Sequence, residues 1–311
     1  MRNAGSGLRR ALVPLAMLAA VSGVGVTSVS AAPPSELTAG PAHGLIAPRG
    51  AGVLYAAARP ARRNATMTYH GGKIMPTAVT KAIFWGASWA TSPGDEVTGI
   101  DSFYTGFSGS NYATTSDEYT GSNGQVGATT TYQGHIVDTS AASRGGNTSK
   151  ILAEVSKEVT AGNIVVEQGG NGYYPVYTDL PRGNAGYCAW HSAGTINGVV
   201  VQFAFFWKLD GDPGCDPGDT SGLHSQGLAA LANVSGHELS EARTDPASPG
   251  AWYDGSGAEN GDKCAWTFGA PLVAFSNGAS WKVQGEWSNA AFLAGTGYAN
   301  NSGQKGCLGG A

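Results

Sequence analysis

The stretch Val-Ser-Gly-His-Glu-Leu-Ser-Glu-Ala-Arg-Thr-Asp-Pro, Val234 to Pro246, places His237, Glu238, Glu241 and Asp245 within nine positions. Each of these side chains can hold a metal ion or move a proton. On a helix, positions i and i+4 lie one above the other, so His237 and Glu241 would project together. Glu238 would turn about 100° away from them. A His-Glu-x-x-His string on a helix puts two imidazoles on zinc and a glutamate beside the attacking water. Here Glu241 stands where the second imidazole would be, and a carboxylate is an acceptable zinc ligand. Glu259 follows 18 residues beyond Glu241, and Asp262 three beyond that. Zincins whose third ligand is a glutamate place it at about this distance, often with a later aspartate that braces the first histidine. The expected site is therefore Zn²⁺ on His237, Glu241 and Glu259, with Glu238 as general base. Asp262 would orient the His237 ring, and Asp245 is the alternative ligand. The competing reading is a solvated acidic helix face, which a short string of this kind produces by chance.

Other groups carry weaker signals. His70, His135 and His191 lie in or beside predicted strands, where a lone histidine is expected to be a hydrogen-bonded structural residue. Asp210, Asp212, Asp216 and Asp219 share a turn-rich loop that could hold Ca²⁺. Their spacing does not match an EF-hand, and a stapled turn is the expected role. Trp252, Trp266, Trp281 and Trp287 would line a carbohydrate or peptide groove, or close a glycine-rich core.

The elements that must position these groups follow from periodicity. Leu228, Leu231 and Val234 extend the motif into one helix over 223–243, which Pro246 ends. Val97, Ile100, Phe103, Tyr104 and Phe107 predict a helix over 95–108. Ile151, Leu152, Val155 and Val159 predict another over 148–160. Strands are expected at 67–72, 80–85, 126–137, 173–178, 187–191, 199–207 and 281–289, with 164–166 a strand or a loop. A hairpin turn at 194–198 would join the fifth and sixth of these. The fold class is α/β (α+β): a single zincin-like domain with a mixed sheet, an active-site helix and a disulfide-stapled C-terminal part.

The chain of 311 residues has 18 basic and 22 acidic side chains, and glycine contributes 48 positions. Arg2, Arg9 and Arg10, the small and apolar run 11–26, and Val29-Ser30-Ala31 read as a signal peptide over 1–31. Its removal takes away three arginines and no acids, leaving 15 basic against 22 acidic residues, or −7. An acidic secreted chain is a poor partner for nucleic acid or for an anionic membrane surface, and neither is expected. Residues 32–66 are rich in Pro, Ala and Gly and include Arg62-Arg63, so a disordered linker or pro-segment is expected there. The folded domain would span 67–311. Cys188, Cys215, Cys264 and Cys307 allow three connectivities, and pairing of sequence neighbours is expected, with a structural role.

Several of these pieces resemble a family. Tyr69-His70-Gly71-Gly72, the strand ending in Trp85 and the Asp101-Ser102-Phe103 helix are similar to the EXORDIUM-like, phosphate-induced secreted proteins. So are Cys188 followed by His191, the Phe205-Phe206-Trp207 strand leading to Pro213-Gly214-Cys215, and a last cysteine near the C-terminus. The resemblance covers about 67–307 and implies an extracellular or wall-associated protein, with a growth-signalling role in plant members. His237-Glu238-x-x-Glu241 with Thr244-Asp245-Pro246, Trp252 and Glu259-Asn260-Gly261-Asp262-x-Cys264 looks like the version in secreted microbial relatives. Plant members generally lack the His-Glu pair, so the fold does not need the site.

Two functions follow as expectations. One is a secreted zinc-dependent, peptidase-like hydrolase, a monomer acting on a peptide or cell-wall substrate. The other is a non-catalytic extracellular protein, of the signalling or carbohydrate-binding kind, whose metal site is structural or vestigial.

Overall fold

The strand Val199–Lys208 is buried along most of its length, and the main sheet is built around it. A computed structural model describes residues 37–51, 66–246 and 249–311 of the chain. Seven strands form the main sheet: β1 (Thr38–Ala39), β2 (His43–Ile46), β3 (Ala78–Trp85), β4 (Thr130–Asp138), β5 (Gly172–Pro181), β6 (Ala189–Ile196) and β7 (Val199–Lys208). The order is β1-β6-β7-β5-β3-β4, with β2 also pairing with β6. β6 and β7 form an antiparallel hairpin, while β7, β5, β3 and β4 run parallel. This is a mixed α+β fold, and no helix among the described residues is long and apolar enough to cross a membrane.

Alternation along β6 and β7 decides what faces what. Phe205 pairs with Trp190 and Ala204 with His191, so these two pairs point to opposite faces of the sheet. Helix α2 (Thr148–Thr160) covers one face, with Leu152 against Gly194. Helices α1 (Glu96–Phe107) and α3 (Gln226–Thr244) cover the other, where Tyr177 on β5 bonds Tyr104 on α1 and Ser235 on α3. His191 is thereby turned toward α3.

Helix α3 begins at Ser225, whose Oγ accepts from the Leu228 N–H, and ends before Pro246. Every residue from Gly227 to Thr244 is buried. A helix enclosed on all sides must satisfy its polar groups within the protein. Arg243, for example, donates from Nη2 to the carbonyls of Ala113 and Gly127. The C-terminal part wraps this helix and is tied by Cys188–Cys215 and Cys264–Cys307. Disulfides of this kind fit an oxidising compartment.

Three expectations differ from the structure. The strand expected over 67–72 is only Thr68–Tyr69, and it pairs with Trp252–Tyr253 in a small separate sheet. Residues 281–289 split into two short strands, Ser280–Trp281 and Glu286–Trp287, because Val283 and Gln284 turn into the core. The described part of the expected linker, 37–51, is folded as β1 and β2. Backbone pairing with the edge of β6 and burial of Ile46 hold it, and neither is visible in composition. The expected signal peptide and residues 52–65 lie outside the described residues.

One buried acid away from the motif gives a pH-dependent prediction. Glu96 Oε2 lies 3.2 Å from Lys208 Nζ, and burial pushes its carboxyl up to about 7 despite that cation. The folded state holds this proton more tightly than the unfolded chain. The stability it contributes is therefore present below about pH 4.5 and is lost as pH rises through about 7. Glu96→Gln does not titrate, so between pH 5 and 8 the stability difference should move in favour of the variant by about 2–3 kcal/mol. Urea unfolding at the two pH values checks this, and a constant difference would refute it.

Candidate metal centre

Helix α3 brings His237 and Glu241 onto one face, with His237 Nε2 3.1 Å from Glu241 Oε2. Two other segments meet them there. From β6, His191 Nε2 lies 3.7 Å from the same Glu241 oxygen and 3.1 Å from Glu259 Oε2. The one-turn helix α4 (Asn260–Lys263) and its preceding residue supply Glu259 and Asp262. Asp262 Oδ1 is 3.9 Å from His237 Nε2. Four ligands about 2.1 Å from a tetrahedral zinc sit roughly 3.4 Å from one another, and these separations bracket that value.

Local sequence explains the close approach of α4. A Cβ on Gly261 would fall 2.7 Å from His237 Nδ1, so only glycine lets this backbone pass the ring. The Asp262 N–H donates to Glu241 Oε1 at 2.9 Å, which aims the other Glu241 oxygen at the imidazoles. The Glu259 N–H donates to Asp262 Oδ2 and fixes that carboxylate.

Within this cluster, Glu241 Oε2 and both oxygens of Glu238 are buried with no hydrogen-bond partner. Buried polar atoms are rarely left so, and a group of them facing one point asks for a cation or protons. Burial pushes the carboxyls of Glu238, Glu241 and Glu259 well up, and their mutual repulsion adds to this. Burial also holds His237 down at about 4 and His191 well below its usual range. Both rings are thus neutral, the form that ligates metals. Ligand-type atoms of His237, Glu241 and Asp262 lie within 4.8 Å of one another, as do those of His191, Glu238 and Glu241. Glu241 belongs to both groups.

Gln284 governs the His237 ring. Its Nε2 lies 2.8 Å from His237 Nδ1 and donates to the Gly261 carbonyl at 2.9 Å, while its Oε1 accepts from the Trp266 N–H. Those two backbone partners fix the amide orientation, so Nδ1 is the acceptor and the ring proton sits on Nε2. Ligation through Nε2 would need the proton on Nδ1, with the Gln284 amide turned so that its oxygen accepts it.

The structure departs from the expected site in several ways. Asp245 is not at the centre: its Oδ1 accepts the Ala251 N–H and closes the turn after α3. Asp262 lies on the Nε2 side of His237, and the brace on Nδ1 is Gln284. His191, expected to be a structural histidine, is the imidazole nearest Glu259. Of the others, His70 stacks on Tyr253 and His135 bonds Asp101. The aspartate loop does not converge: Asp212 pairs with Arg182, Asp216 and Asp219 cap their own turns, and Asp210 faces Lys208. Trp281 and Trp287 are core residues, whereas Trp252 leans on Tyr69 and Tyr119. Trp266 lines a groove of about 810 Å³ that also reaches Glu259, Asp262 and residues 42–51.

Comparison with protein-family models, with curated proteins and with solved structures finds no match to this chain.

Proposed function

We propose that the cluster is a zinc centre of a secreted, peptidase-like hydrolase. The observation that carries this reading is that Glu241 is shared by two groups of ligand-type atoms, His237–Glu241–Asp262 and His191–Glu238–Glu241, each within 4.8 Å, with Glu259 Oε2 3.1 Å from His191 Nε2. A divalent ion bound there would supply Lewis acidity toward a carbonyl and lower the pKa of water. Glu241 and the two imidazoles would hold it, with Glu259 and Asp262 completing the donor set. Glu238 lies on the same helix, grouped with His191 and Glu241, and its carboxylate has no hydrogen-bond partner and suits proton transfer. The resemblance to EXORDIUM-like secreted proteins and the two disulfides support an extracellular setting.

A second reading also has an observation in its favour. Five donors exceed the three protein ligands usual for catalytic zinc, and four of them, His191, His237, Glu241 and Glu259, are buried, with Asp262 half-buried. A centre filled by the protein would clamp α3 to the 252–264 loop without turning over substrate.

Metal analysis and one variant separate the two. Purified protein should carry about one zinc per chain. Glu238→Gln should keep that zinc and lose about 100-fold in cleavage of a labelled unstructured protein such as casein. Zinc retained with equal cleavage in both forms would favour the clamp. A chain that binds no zinc would sink both readings.

A further inference from the structure

β2 lies directly over the proposed centre. It runs antiparallel to β6, with His43 opposite His191 and Ile46 opposite Ala189, and the Cys188 N–H donates to the Ile46 carbonyl at 2.7 Å. Between these pairs the register slips, and Gly44 takes a φ of 51°. A Cβ on Gly44 would fall 1.9 Å from Glu241 Oε2 and 2.7 Å from the His191 ring. The backbone of residue 44 therefore touches two of the side chains that would hold the metal, Glu241 and His191.

The anchoring of this segment is mostly backbone and therefore largely independent of its side chains. Gly40 N–H donates to the Ala193 carbonyl, and Ser192 Oγ to the Pro41 carbonyl, both at 2.8 Å. Trp266 Nε1 donates to the Ala47 carbonyl at 2.7 Å, and the Arg49 N–H to the Gly214 carbonyl at 2.6 Å. Among residues 37–51, Ile46 is the one large apolar side chain fully buried, while Leu37 and Leu45 are exposed. Addition of an extended segment to a sheet edge through main-chain bonds, with one pocket for a side chain, is a general mode of peptide recognition.

We infer that the edge of β6 is a binding groove for extended peptides, and that residues 37–51 occupy it in cis and seal the centre. This rests on the hydrolase reading for its consequence, but not for the binding itself. The groove takes a peptide strand with glycine at the position over Glu241 and an aliphatic residue two positions later, the pattern of Gly44 and Ile46. The segment is joined to the domain through residues 52–65, which contain Arg59-Pro-Ala-Arg-Arg63, a sequence that trypsin-like proteases cut.

Two forms of the full chain test this. In the first, a specific protease site is placed within 52–65, the chain is cut, and the N-terminal piece is washed away. A fluorescein-labelled peptide of residues 37–51 should then bind the cut protein with micromolar affinity by anisotropy and should not bind the uncut chain. The same peptide with Gly44→Val should bind at least about tenfold more weakly. In the second, Gly44→Val is made in the uncut chain, which needs no cleavage and keeps the core. Zinc should be removed by EDTA about tenfold faster than from the unaltered chain, because local opening becomes easier. Failure of the peptide to bind a folded cut protein, or an unchanged zinc release rate in a folded Gly44→Val chain, overturns the inference. Peptide binding without any zinc in either form would leave the groove standing and remove the hydrolase reading.

Discussion

Glu241→Gln should reduce zinc affinity by about a thousandfold, roughly 4 kcal/mol, while making the metal-free protein more stable at pH 8. The two effects have opposite signs for one physical reason. Glu241 is fully buried and sits 3.1 Å from His237 Nε2 and 3.7 Å from His191 Nε2. With metal present, its charge is the one shared by both groups of ligand-type atoms. Without metal, burial pushes its carboxyl well up, so the folded state keeps a proton that the unfolded chain releases. That raised carboxyl contributes stability below about pH 4.5 and loses it as pH rises. Glutamine has nothing to titrate and keeps an oxygen to accept the Asp262 N–H. Thermal unfolding at pH 8, with zinc and with EDTA, reads both effects. The unaltered chain should be strongly stabilised by zinc and the variant hardly at all, with the order of stability reversed in EDTA. Equal zinc stabilisation of both would show that the metal does not sit at Glu241.

Much of this site could be read from spacing. The i, i+4 relation of His237 and Glu241 is a property of any helix, and the apolar positions Leu228, Leu231 and Val234 announced that helix. Asp262 lies beside His237 and Glu241, whereas the contact of the Glu259 carboxylate is with His191. The helix expected over 148–160 is α2, and the cysteines pair as sequence neighbours. What spacing cannot carry is convergence from distant segments. His191 reaches Glu241 only because β6 pairs with β7 in a register that puts His191 opposite Ala204 and on the α3 face. A slip of one residue would have turned it toward α2. Asp245 is not a ligand because its carboxylate accepts the Ala251 N–H. Gln284 carries no metal-ligand signal, since its role depends on the carbonyl of Gly261 and the N–H of Trp266 lying beside it. The strand over the centre was hidden for a different reason. Ala, Gly and Pro in 37–51 are the composition of a linker, and the edge of β6 that supplies the missing hydrogen bonds lies about 150 residues away.

The two disulfides should differ in what their loss does to the centre, although each stabilises the fold. Closing loops of 27 and 43 residues reduces the entropy of the unfolded chain by an amount worth about 3.6 and 4 kcal/mol respectively. Cys188→Ser/Cys215→Ser should therefore lower stability by about 3 kcal/mol. It should leave zinc affinity nearly unchanged, because His191 is held by the ladder of β6 with β7 on one side and β2 on the other. Cys264→Ser/Cys307→Ser should lower stability by about 4 kcal/mol and also weaken zinc by roughly 10- to 100-fold. Cys264 directly follows α4, a single turn with no sheet of its own. Its attachment rests on Cys307 in the strand Lys305–Leu308, on the Asp262 N–H bond to Glu241, and on the packing of Gly261 against His237. With the covalent tie gone, ordering Glu259 and Asp262 becomes a cost that zinc binding must meet. Urea unfolding of both double variants, together with zinc titration below the unfolding transition, separates loss of fold from loss of the centre. Equal zinc affinity in the two variants would mean that α4 is held in place by its packing alone.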